Sequence, residues 1–164
     1  MGAVVSEEAR KRAAELFESA YEAQMRGELE DAVDLYRMSL ATHPTAEAHT
    51  FLGWTYSFQG RLDDAIEQCK KAIAVDPDFG NPYNDIGAYF LQKGRPDEAI
   101  PWLEKATVAA RYEAPHFPRF NLGRAYVAKQ MYNRALEEFQ HALRLRRDYV
   151  AARVVIDTLK RKLN

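Results

Sequence analysis

The residues of this chain that most resemble metal ligands are histidine and acidic side chains at short spacings. His43, Glu47 and His49 have the residue types of a metal site, but a proline break falls among them and they do not share one helical face. Glu138 and His141 stand three residues apart, as in carboxylate-bridged di-iron bundles, which need two such helices and two further glutamates. The sequence supplies only one such helix, which favours a surface pair. We therefore expect no metal site.

The motifs of covalent and phosphate chemistry are missing from the sequence as well. It contains no glycine-rich phosphate loop, no nucleophile elbow and no cysteine–histidine pair. Cys69 is the single cysteine, and it occupies a helical slot that the related segments fill with Tyr36, Leu103 and Phe139. That slot predicts a small buried core residue rather than a reactive thiol. We expect a protein without catalytic residues and without a cofactor.

The elements that carry these residues recur along the chain. Ala32, Ala65, Ala99 and Ala135 mark one position of a unit and stand 33, 34 and 36 residues apart. Each unit has the pattern of two antiparallel helices, and a unit of this kind cannot bury its apolar face alone. In three units the turn between the helices falls at a glycine, which can adopt the left-handed conformation. The fourth has Gln130 there, which predicts a turn that is slightly strained or differently shaped. The three turn glycines are Gly27, Gly60 and Gly94.

The repeat sets the expected domain organisation. Pro44 and Pro77 end second helices, whereas the junction between the third and fourth units is longer, with a connection near residues 112–115 and a helix from Pro115 or His116. A last amphipathic helix has apolar residues at helical spacing and is expected to cap the array. We predict an N-terminal segment at 1–12, four repeats at 13–45, 46–79, 80–115 and 116–149, and a C-terminal capping helix at 150–164.

Taken together, these slots resemble the tetratricopeptide repeat family over about residues 13–149. Two units carry Leu-Gly-x-x-Tyr, at residues 52–56 and 122–126, followed by alanine at the family's spacing. The resemblance implies an all-α fold, a right-handed superhelical solenoid of antiparallel helix pairs. It also implies a non-catalytic adaptor or chaperone-like module, because the first helices of such units line a concave groove that holds a peptide of another protein.

The resemblance also implies which residues line that groove. Carried onto this chain they are Phe17, Tyr21, Met25, Thr50, Trp54, Phe58, Asn81, Asn84, Leu91, Phe117, Phe120 and Arg124. Six of them are aromatic and lie off the core slots, and exposed rings on a concave surface commonly mark a contact site. The alternative is that some of these rings pack against neighbouring helices or the N-terminal segment. The asparagines and Arg124 would bind peptide backbone or a carboxylate.

One group of family members holds the C-terminal carboxylate of chaperones with Lys and Asn on three successive first helices. The matching positions here are Phe17, Tyr21, Phe51, Asn81 and Asp85, or, one unit later, Thr50, Trp54, Asp85, Phe117 and Asn121. Neither set supplies the cations. We therefore expect no recognition of such chaperone tails.

Composition and charge limit the other classes of function. The chain is 47% hydrophobic and 29% charged, as folded proteins are, and no apolar run approaches the roughly 18 residues of a membrane span. Residues 1–43 carry nine acids and five bases, whereas residues 144–164 carry seven bases and two acids. This charge distribution leaves as alternatives a self-associating scaffold and, less favoured, nucleic-acid binding by the basic C-terminal helix. The family resemblance implies a further alternative, a bacterial secretion or pilus assembly factor. The expected location is the cytoplasm, with a removed signal sequence as the alternative.

Overall fold

The computed structural model describes residues 4–164, and over that range every regular element is an α-helix. The helices are α1 Glu7–Met25, α2 Leu29–Thr42, α3 Ala46–Phe58, α4 Leu62–Val75, α5 Asn81–Gln92, α6 Pro96–Thr107, α7 His116–Ala128, α8 Tyr132–Leu145 and α9 Val150–Leu163. They form two compact units, an N-terminal unit of residues 1–77 and a C-terminal unit of residues 78–164. The predicted all-α class, built from antiparallel helix pairs, is confirmed.

The N-terminal unit consists of the pairs α1/α2 and α3/α4, with α2 packed on α3. Its core is made of small residues at the helix crossings and larger side chains between them. Ala20, Ala32 and Ala65 are fully buried, as are Tyr36 and Cys69. The burial of Cys69 confirms the interpretation of that residue as part of the core.

Glycine at the crossing of three of the four pairs lets the two helices approach closely. An added Cβ on Gly53 would lie 2.9 Å from the carbonyl oxygen of Ala65, which is backbone and cannot rotate away. An added Cβ on Gly123 would lie 2.6 Å from the ring of Phe139. Helix packing therefore excludes larger residues at these positions, as overpacking of a core is destabilising.

The turns inside the pairs share one conformation. Gly27, Gly60 and Gly94 have φ of 79°, 75° and 70°, and Gln130 adopts the same left-handed region with φ of 60°. The hydrogen bonds repeat too: the residue after each of these positions donates its N–H to a carbonyl five residues earlier, as Met131 does to Tyr126 at 2.9 Å. The fourth turn therefore keeps the shape of the other three and bears the steric strain of a side chain in that region.

The helix ends follow the sequence signals. The Ser6 hydroxyl accepts a hydrogen bond from the N–H of Ala9 at 3.1 Å and caps α1. Helices α2 and α4 end two residues before Pro44 and Pro77, and α6 begins at Pro96, where the missing N–H does no harm.

The C-terminal unit consists of α5/α6 and α7/α8, with α6 packed on α7 and α9 on α8. The long connection between α6 and α7 is fixed by two backbone hydrogen bonds, from Arg111 N–H to Asp78 and from Gly80 N–H to Arg111, both 2.9 Å. The side chain of Tyr112 lies against Gly80, leaving no room for a Cβ there. The predicted longer connection is confirmed, and α7 begins at His116 as expected.

Helix α9 covers the flank of α8 with one apolar stripe. Ala152, Ile156 and Leu159 are buried, and Val155 is half-buried. Within residues 4–164, no helix has the length and apolar character that a membrane span requires.

Candidate functional site

A continuous group of aromatic rings lies on the α1–α3 face of the N-terminal unit. Phe51 is its centre, with ring centroids 5.3 Å from Phe17, 5.7 Å from Tyr21 and 5.9 Å from Trp54, all nearly edge to face. Trp54 in turn lies 5.0 Å from Phe58. These geometries are the favourable ones for aromatic pairs. We call Phe17, Tyr21, Phe51, Trp54 and Phe58 the aromatic cluster.

The aromatic cluster has a buried side and an exposed side. Phe17 and Phe51 are half-buried and pack on Tyr36, at 5.6 and 6.3 Å, which belongs to the core. Tyr21 and Phe58 remain 41% and 58% exposed. The cluster is therefore anchored from below and presents rings to the solvent, an arrangement typical of contact sites.

One of the predicted groove residues on this part of the chain is buried in the core. Thr50 is buried, and its hydroxyl donates to the Ala46 carbonyl of its own helix at 2.7 Å. Thr50 is therefore not exposed on this face. Met25, at the end of α1, is well exposed.

Gln24 lies at the end of the same helix and is buried. Its side-chain oxygen accepts a hydrogen bond of 2.7 Å from the hydroxyl of Tyr36, and burial raises the pKa of that hydroxyl, which stays protonated. The Nε2 atom of Gln24 has no hydrogen-bond partner among residues 4–164. A buried amide that depends on one bond makes the Tyr36 hydroxyl important for stability.

The α5–α7 face of the C-terminal unit carries a chain of polar side chains instead of rings. The Arg124 guanidinium donates to Asn121 Oδ1 at 3.0 Å, and Asn121 Nδ2 donates to Asn84 Oδ1 at 2.9 Å. Asn84 makes a side-chain hydrogen bond to the Asp85 carboxyl. We call these four residues the polar chain. It runs from an exposed cation to a half-buried acid, with both asparagines buried between them.

Asp85 is held in an environment that disfavours its charge. Burial raises the pKa of Asp85 to about 7, and the hydrogen bond from Asn84 opposes that rise only in part. The same carboxylate, after burial, is a cause of the raised pKa of Tyr112. No cation lies within ion-pair distance of Asp85 among residues 4–164. The acid end of the polar chain is therefore close to half-ionised at neutral pH.

A second set of rings lies where α7 meets the start of α9. Phe120 is half-buried between Phe139 and Tyr149, with both centroids at 5.1 Å. Phe117 is 4.2 Å from the ring of His116 and keeps an exposed edge. Of these two predicted groove residues, Phe120 thus packs mainly within the unit. This agrees with the alternative that some of the aromatic rings pack against neighbouring helices.

The last two predicted groove residues both lie on α5. Asn81 and Leu91 are half-buried at opposite ends of α5. Burial and, after it, the neighbouring Arg146 lower the pKa of His116, which favours the neutral imidazole.

Three residues of these faces were considered in the sequence only as clamp positions and not as groove residues, and they share a signal. Phe51, Asp85 and Asn121 each stand directly before the Leu-Gly or Ile-Gly pair of a first helix. In both units a residue in that slot contacts a side chain of the preceding first helix, as the pairs Phe17–Phe51 and Asn84–Asn121 do. Comparing this column across the repeats would have found the centre of both faces.

Two of the residues considered for metal binding have other partners. His49 Nδ1 lies 2.8 Å from Gln68 Oε1, and Glu138 pairs with Arg119 at 3.3 Å. Over the described part of the chain, no three His, Cys, Asp or Glu side chains come together in a way that could hold a metal ion.

Fold and faces together define a repeat protein of stacked helical hairpins. Models of the tetratricopeptide repeat match residues 46–79, 81–110 and 119–149, more than half of the sequence. The chain belongs to the tetratricopeptide repeat family, as its sequence pattern indicated. No curated protein matches it.

Solved structures with the same fold are numerous. PilF of Pseudomonas aeruginosa has a TM-score of 0.89 and 24% identity over 95% of this chain and 71% of that chain. MamA has a TM-score of 0.73 and 22% identity over 87% of this chain and 83% of that one. PilW, a type IV pilus biogenesis factor, has a TM-score of 0.79 and 19% identity over 85% of this chain and 64% of that one. At these identities the likeness establishes the fold alone.

Proposed function

We propose that this protein is a non-catalytic adaptor or chaperone-like module that binds an extended or helical segment of another protein. The observation that carries the proposal is the aromatic cluster. Its inner rings are fixed on the core, whereas Tyr21 and Phe58 present their edges to solvent. Each aromatic ring can bury about 150–250 Å² on binding, so two or three of them suffice for a binding hot spot.

The N-terminal face sets the chemistry of the segment that it would hold. It offers aromatic rings and the flexible thioether of Met25. Aliphatic or aromatic side chains of the partner fit it best. This argument also supports the expectation that acidic chaperone tails are not the ligand.

The C-terminal face would recognise a different feature. Arg124 is exposed at one end of the polar chain, and its guanidinium retains donors beyond the one used on Asn121. A main-chain carbonyl or a carboxylate of a partner suits those donors. The two asparagines are buried and act by orienting Arg124 and Asp85 rather than by direct contact.

A role in assembling a pilus or a secretion system is the second candidate. The likeness to PilF and to PilW, a pilus biogenesis factor, favours it over other adaptor roles. The proposed compartment is the cytoplasm, and the single buried cysteine is compatible with reducing conditions. Under this second candidate, the segments that the protein selects would match sequences of assembly proteins from its own source.

Selection from a displayed library of random peptides tests the main proposal directly. Peptides enriched on the intact protein should contain aromatic or large aliphatic residues. Trp54→Ala should weaken their binding by about 2 kcal/mol, or roughly thirtyfold. Its effect on folding should be small, because Trp54 is half-buried and outside the core.

Trp102→Ala is the matched control. Trp102 is a half-buried tryptophan on α6 that packs on Tyr83 and under Lys105. It belongs to the C-terminal unit, whereas the aromatic cluster belongs to the N-terminal unit. It should leave peptide binding unchanged. Equal loss in both variants, or a library that enriches no sequence, would contradict the proposal. Unfolding of Trp54→Ala would show that the ring is core and remove the anchor of the proposed surface.

A further inference from the structure

A groove between α8 and α9 gathers four cationic side chains. Arg144, Arg147, Arg153 and Lys160 line it, over an apolar floor that includes Leu143 and Ile156. Its volume is about 460 Å³, and its lining residues include no Asp or Glu. We call this the basic groove.

The charge of the basic groove is not neutralised by neighbouring carboxylates. Among residues 4–164, none of the four cations lies within ion-pair distance of a carboxylate. Arg153 uses one donor on the carbonyl of Arg147 at 2.6 Å, which fixes its guanidinium beside the groove. By contrast, Arg146 pairs with Asp148 at 3.1 Å outside it. Four like charges held together without counter-charges form a surface suited to an anionic ligand.

The complementary charge lies on the α1–α2 hairpin. Residues 15–34 contain seven acidic residues and a single base, Arg26, which pairs with Glu28 at 3.1 Å. All seven acids are exposed: Glu15, Glu18, Glu22, Glu28, Glu30, Asp31 and Asp34. Over the whole chain, residues 1–77 carry 14 acids and 8 bases, whereas residues 78–164 carry 10 acids and 15 bases. We call residues 15–34 the acidic hairpin.

We propose that the basic groove of one molecule binds the acidic hairpin of a second copy of this chain. Charge complementarity selects this occupant. Each surface also carries an exposed apolar side chain, because Val150, three residues before Arg153, is 68% exposed and Met25 at the tip of the acidic hairpin is also exposed. The lining of the groove includes no aromatic ring on which a nucleic-acid base could stack, which disfavours a single-stranded nucleic acid there.

The symmetry of this contact determines what it builds. The two surfaces differ, so the contact is heterologous. After two molecules have paired, one still has a free basic groove and the other still has a free acidic hairpin. Association therefore continues into chains or rings rather than stopping at a two-fold dimer. This inference does not depend on the proposed peptide-binding function, because the test changes charged residues only and leaves every ring of the aromatic cluster in place.

Sedimentation velocity over a concentration series tests the existence of the contact. The weight-average sedimentation coefficient should rise with concentration in about 50 mM salt and fall back toward the monomer value in about 500 mM salt, where screening is much stronger. A monomer at every concentration would overturn the proposal. So would association that persists at high salt, because that would be apolar in origin.

A mixing experiment tests which surfaces meet. The groove variant Arg147→Gln/Lys160→Gln and the hairpin variant Glu22→Gln/Asp31→Asn should each associate at least about tenfold more weakly than the unaltered chain. Mixed together, they should form a 1:1 complex that grows no further, since one intact groove faces one intact hairpin.

The control variant Lys70→Gln/Lys71→Gln removes the same number of charges from the exposed side of α4 and should associate like the unaltered chain. Failure of the two variants to combine, or a control as weak as the groove variant, would refute the assignment. Binding of a labelled oligonucleotide by a chain that stays monomeric, lost in the groove variant, would replace it with nucleic-acid binding.

Discussion

Replacing Asp85 by asparagine should make the protein more stable above neutral pH and leave it unchanged in acid. The carboxyl has a pKa near 7 in the folded chain, against about 3.9 for aspartate in an unfolded chain. Between these values the folded state keeps a proton that the unfolded state has lost. Stability therefore falls as pH rises through that window. The asparagine side chain retains an oxygen that can accept the hydrogen bond from Asn84 and carries no charge to be desolvated.

The expected gain in stability follows from the size of the pKa shift of Asp85 and from how deeply its side chain is buried. A shift of about three pH units corresponds to about 4 kcal/mol if the site were completely dry. Asp85 is half-buried, and screening by solvent reduces this to about 1–2 kcal/mol. The stabilisation should be absent near about pH 4 and complete by about pH 8.

Urea unfolding at several pH values measures this difference. Tryptophan fluorescence in a Trp54→Phe background reports the C-terminal unit, because Trp102 lies in α6 of the same unit as Asp85. Asp157→Asn is the control, since Asp157 is an exposed carboxylate on α9. Its curves should track those of the unaltered chain. Parallel curves for Asp85→Asn and the unaltered chain, with no gain in stability at the alkaline end, would refute the reasoning about Asp85.

Three further substitutions test the packing, each by urea unfolding. Gln130→Gly should stabilise the protein by about 0.5–1 kcal/mol, because it relieves the left-handed strain; a loss of stability would contradict the strain argument. Gly53→Ala should cost about 1–3 kcal/mol, since its Cβ meets the Ala65 carbonyl; an unchanged midpoint would mean that the helices can separate freely. Tyr36→Phe should cost about 1–3 kcal/mol, because it leaves the buried Gln24 amide without its one bond; a neutral result would imply that water reaches it.

The repeat made the framework of this fold readable from sequence. Small residues where helices cross and glycines where the chain turns impose local constraints, and these recur in phase. The left-handed Gln130 was predictable on the same basis, because its slot is glycine in the other turns. Proline positions located the helix ends in the same way.

The faces were harder to read because exposure depends on neighbours. Thr50 and Asn84 have the polarity of surface residues, yet both are buried, and Asn84 lies where two first helices meet. Phe120 has the pattern of an exposed ring and is half-buried because Tyr149, which is distant in sequence, packs on it. Such long-range contacts leave no periodic trace in a single sequence.

The slot before the Leu-Gly or Ile-Gly pair has a consequence for engineering. One backbone position holds Phe51 in the second repeat, Asp85 in the third and Asn121 in the fourth, so it accepts a ring, an acid and an amide. The glycine two positions later determines how closely the two helices of the pair approach. The slot itself determines which side chain the first helix presents. Exchanging this slot between repeats would change the contacts between neighbouring first helices, and with them the side chains that each face presents.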